Sequence, residues 1–178
     1  VLRKKGLAGA DSKAGRKASQ GWIAAMLSPD GHAASLLEMN CETDFVGMTP
    51  EFQQLTQGLS AIQLSNKNLK TPQALSEQKL SDGQVAEEKR KLLVTKVGEN
   101  IVLKRHDRLE IAKGNHGIFD IYVHGDNSKM ETLALDGKSY LFGRGRIGVL
   151  VQIETASPDA AKLDEVRSFA HEVSLQIC

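Results

Sequence analysis

The stretch ASLLEMNCETDFVGMTPEFQQL, residues 34–55, passes from one kind of pattern to another. Its apolar opening has the look of a strand. From Thr49 onward, Phe52, Leu55, Leu59 and Ile62 recur at spacings of three and four, the periodicity of a helix with one buried face. Thr49 is placed to cap that helix, and Pro50 suits its first position, where no backbone donor is needed. Between strand and helix lies a polar corner that also holds a large aromatic, Phe45, beside Asp44. Neither core packing nor turn geometry requires that pair. On pattern alone two placements of Phe45 stay open: the ring folded back over the sheet, or the ring exposed.

Working outward, GWIAAML and AASLLEMNC are separated by SPDGH. Pro29, Asp30 and Gly31 are turn residues, so the two runs form a β-hairpin. Residues 66–84 form a polar connection or short helix, and a charged helix runs from Val85 to a stop at Gly98. Residues 100–112 and GIFDIYVHG, 117–125, are strands; in the second, Phe119, Ile121 and Val123 face opposite to Asp120, Tyr122 and His124. Residues 126–145 are a polar excursion. In RIGVLVQIET, residues 146–155, Ile147, Val149, Val151 and Ile153 share one face. A last helix opens with Ser157 as cap and Pro158 at its first position, carries a stripe of Leu163, Val166, Ala170 and Val173, and is expected to continue past Cys178.

The order strand, strand, loop, proline-opened helix thus occurs twice. It predicts an α+β fold of two related subdomains, each a small antiparallel sheet packed with helices. The expected boundaries are a basic helix or linker over 1–20, an N-terminal core subdomain with the aromatic corner over 21–84, and a C-terminal core subdomain, cut at its end, over 85–178. Only the first copy carries Asp-Phe in its corner; the second has Ala156. The corner is therefore scaffold, and the Asp-Phe pair is an addition to it.

With 23 basic and 22 acidic residues in 178, the chain offers no whole-molecule attraction for nucleic acid or an anionic membrane. Local basic charge is concentrated in residues 1–20, a solvated segment or an arm for an acidic partner. Cys41 and Cys178 do not make a disulfide framework. No apolar run approaches the ~20 residues needed to span a bilayer. GRGRIG, residues 143–148, formally fits a dinucleotide fingerprint, but it precedes a strand instead of opening a helix, so no direct nucleotide site is expected there. The five histidines show no ligand spacing, and no nucleophile elbow or phosphate loop occurs. Neither metal nor cofactor nor an enzyme's acid–base apparatus is expected. Any catalytic effect would come from binding a partner.

The segments LRKKGLAGADSKAGRKASQG, LLEMNCETDFV, EFQQL, KVGENIVLKR, YVHG and RIGVLVQIET appear in that order, and together they resemble the elongation factor Ts family. NCETDFV followed by GENI and LKR is the specific part. The resemblance implies a guanine-nucleotide exchange factor that binds elongation factor Tu, promotes GDP release during translation elongation, and uses no cofactor. It further implies that Thr43, Asp44, Phe45 and Val46 dock on the GTPase domain, with the Phe45 ring as a wedge, and that Tyr122 and His124 form a second contact. The alternative is an exchange-inactive descendant serving as a structural subunit of an organellar assembly. The family's N-terminal helical domain would precede Val1. The long excursion over 126–145 points to an organellar form, expected to be mitochondrial, with plastid or bacterial cytoplasm as the other placements. Gly47-Met48-Thr49 replaces the family's commoner Ala-Arg-Asn continuation.

Overall fold

In a computed structural model, the structure describes residues 9–125 and 128–178. The basic start of the chain over 1–8 and the first two residues of the excursion lie outside them. The fold is α+β, with two antiparallel sheets and helices packed on them. Its elements are β1 (Gln20–Leu27), β2 (Ala33–Cys41), α1 (Asp44–Gly47), α2 (Pro50–Ser65), α3 (Pro72–Ser76), α4 (Ala86–Val97) and β3 (Ile101–Glu110), then β4 (His116–His124), β5 (Lys129–Leu135), β6 (Lys138–Gly145), β7 (Ile147–Thr155) and α5 (Asp164–Ile177). One sheet has the order β3-β2-β1-β6-β5 and the other pairs β4 with β7.

The chain forms two compact units, one built from the residues up to Trp22 and Leu37–His106, the other from Ile23–Leu36 and Asp107–Cys178. Strands β1, β2 and β3 each pass from one unit into the other. In the first unit the stripe expected on the second helix is the core. Phe52, Leu55 and Leu59 of α2 are buried against Leu37, Met39 and Cys41 of β2 and against Leu75, Val94 and Ile101. Thr49 Oγ1 accepts the Phe52 N–H at 3.4 Å, so the cap and the proline at N1 fall where the sequence put them. Helix α4 stops at Gly98, which adopts a left-handed φ of 80° that costs glycine nothing.

Residues 9–19 are not a free linker. Ala10 is buried in the first core, and the Asn100 side-chain amide donates to the carbonyls of Ala14 (3.3 Å) and Arg16 (2.8 Å). Arg16 in turn donates to the Gly98 carbonyl at 3.2 Å, and Lys91 pairs with Asp11 at 2.9 Å. The small residues that made this segment look unstructured are what lets it lie close: a Cβ on Gly9 would come within 3.3 Å of the Thr95 hydroxyl.

In the second unit β4 and β7 pair antiparallel in the register Ile118↔Ile153 and Tyr122↔Val149, with α5 packed on them. Two expectations change here. The excursion is a hairpin: β5 pairs with β6, and β6 pairs antiparallel with β1 through Ile23↔Gly145 to Leu27↔Leu141. Its turn is Asp136-Gly137, both at positive φ (51° and 73°), the geometry that Asp-Gly favours in a two-residue hairpin loop. The last helix, moreover, does not open at Pro158. Ser157 Oγ accepts the Ala160 N–H at 3.2 Å and starts only a 3-10 turn, Ala160–Lys162; Leu163 is then extended, and α5 begins at Asp164 with two acids in its first turn.

Candidate functional site

The corner after β2 is tied down residue by residue. The Cys41 thiol donates to the Thr43 carbonyl at 3.0 Å. Thr43 is extended and, although it stands at the N-cap of α1, its side chain caps nothing. Its hydroxyl donates instead to Glu99 Oε1 (2.7 Å) and its backbone N–H to Glu99 Oε2 (2.9 Å). Glu42 Oε1 accepts the Asn100 N–H at 2.6 Å and lies 3.6 Å from Arg16. Helix α1 is a single turn, closed by bonds from Met48 N–H to the carbonyls of Asp44 and Phe45. At its far end the Trp22 indole N–H donates to the Gly47 carbonyl at 2.9 Å, and Thr49 donates to the Val46 carbonyl at 2.7 Å.

That turn sorts its side chains. Val46 is 6% exposed and Gly47 is buried, whereas Phe45 is 78% exposed and its neighbours Asp44 and Met48 also face solvent. The open question about the ring is thus decided in favour of exposure. The Asp44 carboxylate has no hydrogen-bond or ionic partner among the described residues. Three residues before the corner's strand ends, burial alone would raise the pKa of Glu38. The Asn40 amide at 3.0 Å, Arg105 at 2.5 Å and Lys104 at 3.1 Å outweigh it and hold the carboxylate below its ordinary value.

Tyr122 and His124 lie in the other unit, on one side of β4 with Asp120. The Tyr122 hydroxyl is 3.3 Å from His124 Nδ1, the two rings stack at 6.2 Å, and His171 of α5 meets Tyr122 edge-on at 6.0 Å. His171 Nδ1 is 3.5 Å from Asp120 Oδ2. His124 is exposed and Tyr122 half-buried. Of the six residues expected to form contacts, four therefore share the corner of the first unit and two share a strand of the second.

GRGRIG spans the end of β6 and the start of β7, and packing accounts for its glycines. A Cβ on Gly145 would sit 2.6 Å from the His124 carbonyl; on Gly143 it would collide with Met130, and on Gly148 with Ile23. A cleft of ≈ 380 Å³ in the second unit is lined by Leu27, His32, His116, Phe119 and Arg167 among others, and includes none of the six. Among the described residues no group of three or more His, Cys, Asp or Glu could hold a metal ion, and no helix is long and apolar enough to cross a membrane. Two residues that shape the corner, Trp22 and Glu99, were not singled out from sequence. Glu99 lies inside the quoted KVGENIVLKR, but nothing local signals a partner 56 residues away.

The family model described as Elongation factor TS matches residues 42–178, which include the corner and both sheets' later strands. Among curated proteins, the elongation factor Ts of Hydrogenovibrio crunogenus is 36% identical over 165 residues, covering 93% of this chain and 53% of that protein. That of Clostridium kluyveri is 36% identical over 179 residues, 99% of this chain and 50% of the relative. The elongation factor Ts of Symbiobacterium thermophilum is 35% identical over 176 residues, 99% and 49%. The chain spans about half the length of the curated relatives it matches. These relatives are bacterial, so the expectation of a mitochondrial form, drawn from the excursion now seen as a hairpin, finds no support in them. With more than half of its length matched by that model, the chain belongs to the elongation factor Ts family, a family of translation elongation factors.

Proposed function

We propose that this chain acts as a guanine-nucleotide exchange factor, binding elongation factor Tu and promoting release of its GDP, without a cofactor and without contacting the nucleotide itself. The observation that carries the reading is the Phe45 ring, exposed on a turn that buries Val46 and Gly47 and is hydrogen-bonded at its two ends to Glu99 and Trp22. A ring this exposed contributes little to its own fold and is a suitable anchor for a partner. Phe45 is the wedge, and Asp44 supplies an unpaired carboxylate beside it. Thr43 and Val46 serve from behind, one bonded to Glu99 and the other buried, so that they fix the turn. Tyr122 and His124 make the second contact.

A GTPase holds its nucleotide through backbone amides around the phosphates and through its metal, and both tolerate little displacement. A factor that binds the empty partner more tightly than the loaded one weakens nucleotide binding by the same free energy. Burial of one phenyl ring supplies about 2 kcal/mol towards that coupling, which corresponds to roughly thirty-fold in nucleotide affinity.

The test is release of labelled GDP from elongation factor Tu. The chain should accelerate release, and Phe45→Ala should remove about ten-fold or more of the acceleration, while urea unfolding shifts by less than about 0.5 kcal/mol because the ring is exposed. Release unaffected by the wild-type chain would favour the role of a structural subunit.

A further inference from the structure

The aim of the Phe45 ring depends on a residue far from it in sequence. Helix α1 is one turn long, too short to persist by itself, and its N-terminus lacks a side-chain cap. Its C-terminal end is anchored by Trp22. Its N-terminal end is anchored by Glu99, whose two carboxylate oxygens receive the hydroxyl and the backbone N–H of Thr43, the residue immediately before Asp44-Phe45. Two bonds to a charged acceptor fix both the backbone and the side-chain orientation of Thr43.

Glu99 is itself held in place. It follows Gly98, whose left-handed backbone turns the chain out of α4, and it precedes Asn100, whose N–H returns a bond to Glu42. Segments 42–43 and 98–100 therefore exchange carboxylates, each bonding the other's backbone. The Asn100 side chain carries the same network on to residues 14 and 16.

We propose that Glu99 is a positioning residue for nucleotide exchange, acting through Thr43 to hold the Phe45 turn in the orientation that docks. This rests on the exchange reading above. Phe45 is the group that touches the partner, and Glu99 sets where it points.

The experiment measures GDP release from elongation factor Tu over a range of concentrations of wild type, Glu99→Ala, Glu99→Gln, Thr43→Val, Phe45→Ala and the Glu99→Ala/Phe45→Ala double variant. Hydrogen exchange of the free proteins is followed alongside. Glu99→Ala should lower the limiting release rate about ten-fold, as expected for loss of a charge-assisted pair of hydrogen bonds, and change the half-saturating concentration much less. Glu99→Gln restores most of the rate, because its amide can donate to the Thr43 hydroxyl and accept from the Thr43 N–H. The double variant should be no slower than Phe45→Ala alone. Amides of residues 43–48 should exchange faster in free Glu99→Ala while those of α2 keep their protection. Thr43→Val, which leaves the backbone bond intact, gives a smaller loss of rate and serves if Glu99→Ala does not fold. A wild-type chain that fails to accelerate release would defeat the exchange reading and this role with it. A wild-type chain that accelerates, with Glu99→Ala and Thr43→Val equally fast, would overturn the positioning role alone; so would a double variant slower than Phe45→Ala by the full Glu99→Ala factor.

Discussion

A methyl group added at position 47 would sit 2.7 Å from the Trp22 indole nitrogen, closer than side chains approach without displacing something. The lone tryptophan of this chain thus leaves room only for a glycine at that position. Gly47→Ala should therefore destabilise the protein by about 1–3 kcal/mol in urea unfolding, and the same substitution made in a Trp22→Val background, itself less stable, should cost less than it does in wild type. A second residue-scale expectation concerns Glu38. Its folded pKa lies below its unfolded value, so its contribution is complete above the ordinary glutamate pKa, about 4.3. It is lost as pH falls through the depressed folded value. Acid unfolding of Glu38→Gln followed by circular dichroism should be less steep in that window than wild type. A slope equal to wild type would mean that the Arg105 and Lys104 contacts are screened in solution. The exposure of Phe45 was an open question in the sequence, since a ring in a polar corner fits either a folded-back or an outward placement. The structure decides it through partners that are distant in the chain, Glu99 and Trp22.

Among the elements, those with local causes were legible. Thr49 and Pro50 announce α2, its three- and four-residue spacing names the buried face, and Gly98 marks the end of α4. The β5–β6 hairpin was missed although Asp136-Gly137 is a strong turn signal. Its strands bunch their polar residues, Glu131-Thr132 and Lys138-Ser139-Tyr140, instead of alternating them, and β5 has no fully buried residue, so they look like an excursion. The start of α5 was misplaced for a related reason: Ser157-Pro158 has the chemistry of a helix start, but the extended Leu163 ends the turn after Lys162. Gly137 offers a test at this scale. Its φ of 73° is strained for any residue with a Cβ, so Gly137→Ala should cost about 1–2 kcal/mol. The effect should appear as faster hydrogen exchange confined to β5 and β6; uniform loss of protection across the protein would show that the hairpin folds with everything else.

For the whole molecule, composition and punctuation suggested cuts near residues 20 and 84, whereas contacts group Ile23–Leu36 with Asp107–Cys178. The grouping is invisible locally because it depends on β1 meeting β6, more than a hundred residues apart in the chain. A fragment of residues 107–178 keeps the β5–β6 hairpin but lacks β1, the strand on the other edge of β6, and should show no cooperative thermal transition. A fragment that melts cooperatively without Ile23–Leu36 would mean that β4, β7 and α5 suffice for that unit.

The bond between Trp22 and the Gly47 carbonyl gives the molecule its own gauge. The chain has a single tryptophan, and its indole is buried directly under the aromatic turn. Its ultraviolet emission therefore reports from one place only. Any visitor that tugs on that turn changes the colour and lifetime of the emission, so association can be timed optically on unlabelled protein, provided the visitor's own tryptophans are silent or subtracted.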